Sequence, residues 1–189
     1  WLLVSREQGI PDAPGGGDRW SIDHLFLDQD AIPTLVEVKR STDSRIRREV
    51  VGQMLDYAAN AVVYWPIETL RAKFETKCEA DGVDPNQCIA ELLDPGGEGG
   101  AASIESFWMD MKTNLQAGRV RLVFVADEIP PELRRVVEFL NAQMDPAEVL
   151  AVEVRQFVGE NLKTLVPKLV GRTAAADRKR GTGATDMRP

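Results

Sequence analysis

The chain has 189 residues, 30 acidic against 23 basic, giving a formal net charge of −7 and a pI near 4.9. Its 43% hydrophobic content can bury one substantial core, and no apolar run reaches the length of a membrane span. An acidic balance excludes broad phosphate neutralisation as the source of any nucleic-acid affinity, and the single histidine, His24, excludes histidine-rich metal sites and two-histidine mechanisms.

These features fit a soluble, cytoplasmic domain. Because the chain begins at Trp1 instead of methionine, its native N-terminus is expected to be missing. Cys78 and Cys88 match neither a zinc pattern nor a disulfide framework and are expected as free buried thiols.

In chain order, Gly15-Gly16-Gly17 precedes a strand and reads as a loop. Residues 21–27 (SIDHLFL) and 34–39 (TLVEVK) are short runs rich in Leu, Ile, Val and Thr. Residues 28–33 between them are polar at the start and end in proline, which suits a turn. A helix follows over residues 45–65, with N-cap candidates at residues 41–44 and Pro66 at its end. Ile46, Val50, Met54, Ala58, Ala61 and Trp65 form its core-facing stripe. Gln53 and Tyr57 share a second face of that helix.

Residues 66–118 read as an inserted helical segment. Ile67, Leu70 and Phe74 make one short stripe, Asp84-Pro85 opens another helix, and residues 94–100 form a glycine-rich loop. Ile104, Phe107, Trp108, Met111 and Leu115 then recur at amphipathic helical spacing. Residues 120–126 and 149–157 are strands around a helix over 132–144, opened by Pro130-Pro131. A strand, short helix and strand in that order predict parallel pairing through a right-handed crossover. The end of the chain has little apolar content and is expected to be unstructured.

Chemistry concentrates on the hairpin. If Leu27 faces Pro33, the constant index sum of an antiparallel pair makes Leu25 face Leu35 and Asp23 face Glu37. Directly opposed side chains have Cβ atoms about 4.5–5.5 Å apart, so two carboxylates there could share a cation. The strand period of two puts Lys39 on the same face as Glu37. Magnesium suits such oxygen ligands, and a lysine beside it could orient a water or stabilise charge on a phosphate. Lys39, Arg40, Arg45, Arg47 and Arg48 against Asp43 and Glu49 add a local +3 patch for a phosphate backbone. No phosphate-binding G-x-x-x-x-G-K-[ST] pattern occurs.

Asp23, then Glu37-x-Lys39 on the next strand, then Gln53-x-x-x-Tyr57 on the following helix resembles the PD-(D/E)XK nuclease superfamily, in its exonuclease-like and repair-associated branches. Ile22 stands where the family name has proline. The resemblance implies an α/β fold with a mixed central sheet flanked by helices, as in restriction endonucleases. Residues 1–171 would form one nuclease-like domain and 172–189 its tail. Asp23, Glu37 and the Val38 carbonyl would be ligands of Mg2+ or Mn2+, Lys39 the catalytic lysine, and Glu7 a match to a helix-borne acid of many members. Gln53 and Tyr57 would sit at the rim of the site. DNA, or RNA, is the implied substrate, and a homodimer or protein partner would assist so acidic a chain. The alternative is a nuclease-like domain that binds nucleic acid or a partner without cutting.

Overall fold

A computed structural model of the protein describes residues 1–43, 49–94, 101–160 and 162–172. Arg45, Arg47, Arg48, the start of the expected first helix, most of the glycine-rich loop and the expected tail beyond Arg172 lie outside the described residues. Among the described residues the architecture is α/β: six strands and five helices, with the strands in one mixed sheet in the order β1 to β6.

Strands β1 (Leu2–Pro11), β2 (Asp18–Leu27) and β3 (Pro33–Val38) form an antiparallel meander. The β2–β3 register pairs Leu27 with Pro33 and Leu25 with Leu35, the expected alignment. The turn holds that register through Asp28, whose Oδ1 accepts the N–H of Asp30 at 3.1 Å and of Ile32 at 2.9 Å. Asp28 Oδ2 also takes a hydrogen bond from Arg121 at 2.9 Å, and Arg121 Nε donates to Glu148 at 2.6 Å. That half-buried guanidinium ties the turn to the two strands that follow in the sheet.

Helix α1 (Glu49–Tyr64) buries Val50, Met54, Ala58 and Ala61, and Trp65 just beyond it is also buried. The Trp65 indole N–H donates to the Gly9 carbonyl at 2.9 Å, anchoring the end of the helix on β1. A Cβ at Gly9 would meet the Asp18 carboxylate at 1.9 Å, so any larger residue there would turn that exposed side chain away. Helix α2 (Ile67–Asp81) buries Ile67, Leu70 and Phe74. Helix α3 (Pro85–Leu93) is capped by Asp84, whose side chain accepts from Asn86 and Gln87. Helix α4 (Ala101–Gln116) buries Phe107, Trp108, Met111 and Leu115. The cysteines are free, Cys78 buried and Cys88 half-buried. Burial and the neighbouring Cys88 push the Cys78 thiol up to about 11, which leaves it unreactive near neutral pH.

Strand β4 (Arg121–Ala126) pairs parallel with β3, and β5 (Glu148–Val158) pairs parallel with β4 through α5 (Pro131–Gln143), as the strand–helix–strand pattern predicts. Buried Asn141 staples α5 to the sheet, accepting from Val149 N–H at 3.0 Å and donating to the Gly171 carbonyl at 2.7 Å. Two strands went unread in the sequence. One is β1; the other is β6 (Lys163–Val170), which carries Pro167 and pairs antiparallel with β5 at the sheet edge, where a missing N–H is tolerated.

Among the described residues the helices pack against one face of the sheet. The β3–β4 connection runs through α1 to α4 and the β4–β5 connection through α5. Leu35, Leu122, Phe124, Val149 and Ala151 are buried on that face. The alternate residues, among them Phe26, Val36, Val123, Val125, Leu150 and Val152, line an open groove of about 670 Å³ to which no helix contributes.

Candidate active site

The candidate residues meet at the carboxyl end of β3, where β2 stops pairing with it. Glu37 projects toward the helix-covered side and is 3% exposed. Its Oε1 lies 2.5 Å from Lys39 Nζ. Its Oε2 is buried with no hydrogen-bond partner among the described residues. Burial raises the Glu37 carboxyl above its ordinary range; the Lys39 hydrogen bond opposes this, and the Asp23 charge adds to the rise.

Asp23 lies one step beyond His24↔Val36, the last β2–β3 pair. Its Oδ2 accepts the Val38 N–H at 2.7 Å, so a side chain takes over where backbone pairing ends. Ile22 and Leu25 are both buried although three apart, so burial does not alternate strictly through Asp23 and His24. His24 stacks on Phe26 and lines the groove on the bare face of the sheet. It takes no part in the carboxylate cluster.

Glu7 was expected on a helix, but it lies on β1. The pairs Arg6↔His24 and Gln8↔Ile22 set it opposite Asp23. Glu7 is exposed and holds φ 48°, a left-handed backbone conformation that bulky side chains rarely adopt. The strand period could not indicate it, because the irregularity sits at the residue itself.

On α1, Gln53 Nε2 donates to the Tyr57 hydroxyl, so the i, i+4 pair does form. Tyr57 is 4% exposed and its ring packs 6.3 Å from that of Trp20, which places it in the core. Arg40 is exposed immediately after Lys39.

Asp127 escaped the sequence reading. It follows β4, and its carboxylate accepts both the Ser41 N–H at 2.6 Å and the Ser41 hydroxyl at 2.9 Å. Together with the Lys39 N–H to Val125 carbonyl bond at 2.9 Å, it fixes the chain just past the lysine. The Ser41 amide holds the Asp127 carboxyl below its ordinary range. Its signal was position: the first polar residue past the carboxyl end of a parallel strand, where α/β sheets gather ligand-handling groups. Asp127→Ala should lower stability by about 1 kcal/mol, as loss of a comparable cap does. Hydrogen exchange should then speed up at the Ser41 amide; unchanged exchange would mean the carboxylate does not hold that segment.

Asp23, Glu37 and the Val38 carbonyl are oxygen donors of the type Mg2+ prefers, and the partnerless Glu37 Oε2 is a donor atom left over by the fold. Among the described residues, no three His, Cys, Asp or Glu side chains form a group able to hold a metal ion. No family model, curated protein or solved structure matches this chain.

Proposed function

We propose that this chain is a metal-dependent nuclease that hydrolyses DNA phosphodiester bonds, acting in repair, restriction or defence in the manner of the PD-(D/E)XK enzymes it resembles. The observation that carries the reading is Glu37, buried beside Asp23 and Lys39 with Oε2 unpartnered. An unsatisfied buried carboxylate is costly, and such groups are retained where chemistry uses them. A meander followed by a parallel strand supports the same reading by placing all three side chains at one strand end.

Asp23, Glu37 and the Val38 carbonyl would hold Mg2+ or Mn2+, which would supply an activated water and offset charge on the phosphate. Lys39 would orient that water, accept its proton or stabilise the transition-state charge. Arg40 would hold the neighbouring phosphate backbone. A homodimer or protein partner, adding cationic surface to a chain of net charge −7, belongs to the same proposal.

The test is direct. Purified protein should nick supercoiled plasmid or shorten end-labelled DNA with Mg2+ or Mn2+, and EDTA should stop it. An intact substrate across the divalent metals would overturn the reading. It would favour the second one, a nuclease-like scaffold that binds nucleic acid or a partner without cutting. One observation supports that alternative: the Lys39 ammonium is paired with the buried Glu37 carboxylate.

A further inference from the structure

Between β1 and α2 lies a depression of about 370 Å³ lined by Ser5, Arg6, Gln8, Thr69, Lys73 and Thr76. It offers two cations and three hydroxyls, and no carboxylate lines it. The nearest acids in sequence, Glu7, Glu68 and Glu75, are absent from its wall, and Glu75 is held by Arg71 at 2.8 Å. Neither Arg6 nor Lys73 forms a salt bridge among the described residues. For a chain this acidic, two cations left without acids on one small surface are unusual.

The depression has a built floor. Gln8 is buried; its Oε1 accepts the Ser5 hydroxyl at 2.7 Å and its Nε2 donates to the Gly9 carbonyl at 2.8 Å. Thr69, Lys73 and Thr76 are spaced to share one face of α2. The Lys73 ammonium, the Arg6 guanidinium and the Thr69 and Thr76 hydroxyls around an open, shallow hollow suit a tetrahedral oxyanion, and Arg in particular favours phosphate.

We infer that this depression is a phosphate-binding subsite. If the nuclease reading holds, on which this placement rests, its ligand is a backbone phosphate of the substrate strand. Arg6 pairs with His24, the residue after Asp23. With strands about 4.8 Å apart and residues about 3.3 Å apart, the Arg6 and Asp23 Cα atoms are roughly 6 Å from each other. The depression and the carboxylate cluster are thus joined through neighbouring residues of β1 and β2.

The experiment compares the full chain with Arg6→Ala/Lys73→Ala and with a control of equal charge change, Lys112→Ala/Arg119→Ala, at exposed positions elsewhere. Binding of a fluorescent DNA oligonucleotide is followed by anisotropy in EDTA from 50 to 200 mM salt. Loss of two phosphate contacts should weaken binding roughly tenfold at the lowest salt and flatten the plot of log K against log salt by about 1.8. The control should change the slope far less. Equal slopes for the two double variants would overturn the subsite, while metal-dependent cleavage by the wild type would still uphold the nuclease reading. A second arm titrates inorganic phosphate and follows the Ser5 and Thr76 amides by NMR. Shifts lost in Arg6→Ala/Lys73→Ala, with no DNA bound or cut by the wild type, would keep the subsite for a free phosphate and remove the nuclease reading. Binding of neither DNA nor phosphate would overturn the inference.

Discussion

Glu37→Ala and Lys39→Ala should each reduce Mg2+-dependent DNA cleavage by roughly a thousandfold or more, the scale seen when a group that stabilises developing charge is removed. Both side chains belong to one cluster, joined at 2.5 Å. The double variant should therefore be little worse than either single one, since groups that act as a unit show non-additive losses. The fold should survive. Lys39 is 22% exposed at its side chain, so in Glu37→Ala the ammonium can turn toward water on its flexible stem. Initial rates on end-labelled DNA, with thermal melts run in parallel, separate lost chemistry from lost structure. Wild-type rates in either variant would remove Glu37 and Lys39 from the mechanism, and a fall in melting temperature matching the fall in activity would reassign them to structure.

The second large effect concerns stability and has the opposite direction. Glu37→Gln should make the metal-free protein more stable at alkaline pH, by on the order of 1 kcal/mol, as relief of a buried charge at a functional site does. The Glu37 carboxyl is raised above its reference of 4.5, chiefly by burial. The folded state therefore holds a proton that the unfolded chain has already released. Across the window from 4.5 up to the raised folded value the unfolded state binds fewer protons, so stability falls as pH rises and stays lower above the window. Glutamine cannot ionise, and this fall should disappear. Urea denaturation in EDTA from pH 4 to pH 9 reads the difference directly. If the wild type is the more stable protein at pH 9, the Lys39 ion pair outweighs the burial penalty and the carboxylate is a structural group. Mg2+ should raise the melting temperature of the wild type and leave Glu37→Gln nearly unchanged, because ligand binding to the native state alone stabilises it.

The two effects have one source. The same burial that makes Glu37 costly to ionise leaves Oε2 without a partner. A surface glutamate in the same strand would be harmless to the fold and useless to the chemistry.

Local patterns carried much of this fold into the sequence. The turn after Leu27, the α4 stripe of Phe107, Trp108, Met111 and Leu115, and the parallel β4–β5 pair were legible because periodicity and turn chemistry act over a few residues. The index sum of the β2–β3 hairpin likewise follows from one short turn, which set the pairs from Leu27↔Pro33 to His24↔Val36, while the rung expected for Asp23 and Glu37 lies one step beyond the last of them. Strand β6 was hidden by Pro167, whose tolerance depends on being at an edge, and edges exist only once the sheet has been ordered.

Only the tertiary structure could decide the rest. Asp127 reaches Ser41 across 86 residues, Arg6 of β1 and Lys73 of α2 line one depression, and one sheet face is left without a helix among the described residues. The burial that perturbs Glu37 also belongs to this level, because desolvation is a property of everything packed around a group. Hydrophobic period and turn chemistry are written along the chain. Electrostatic environment arises between segments, when helices and strands distant in sequence exclude water from the same point.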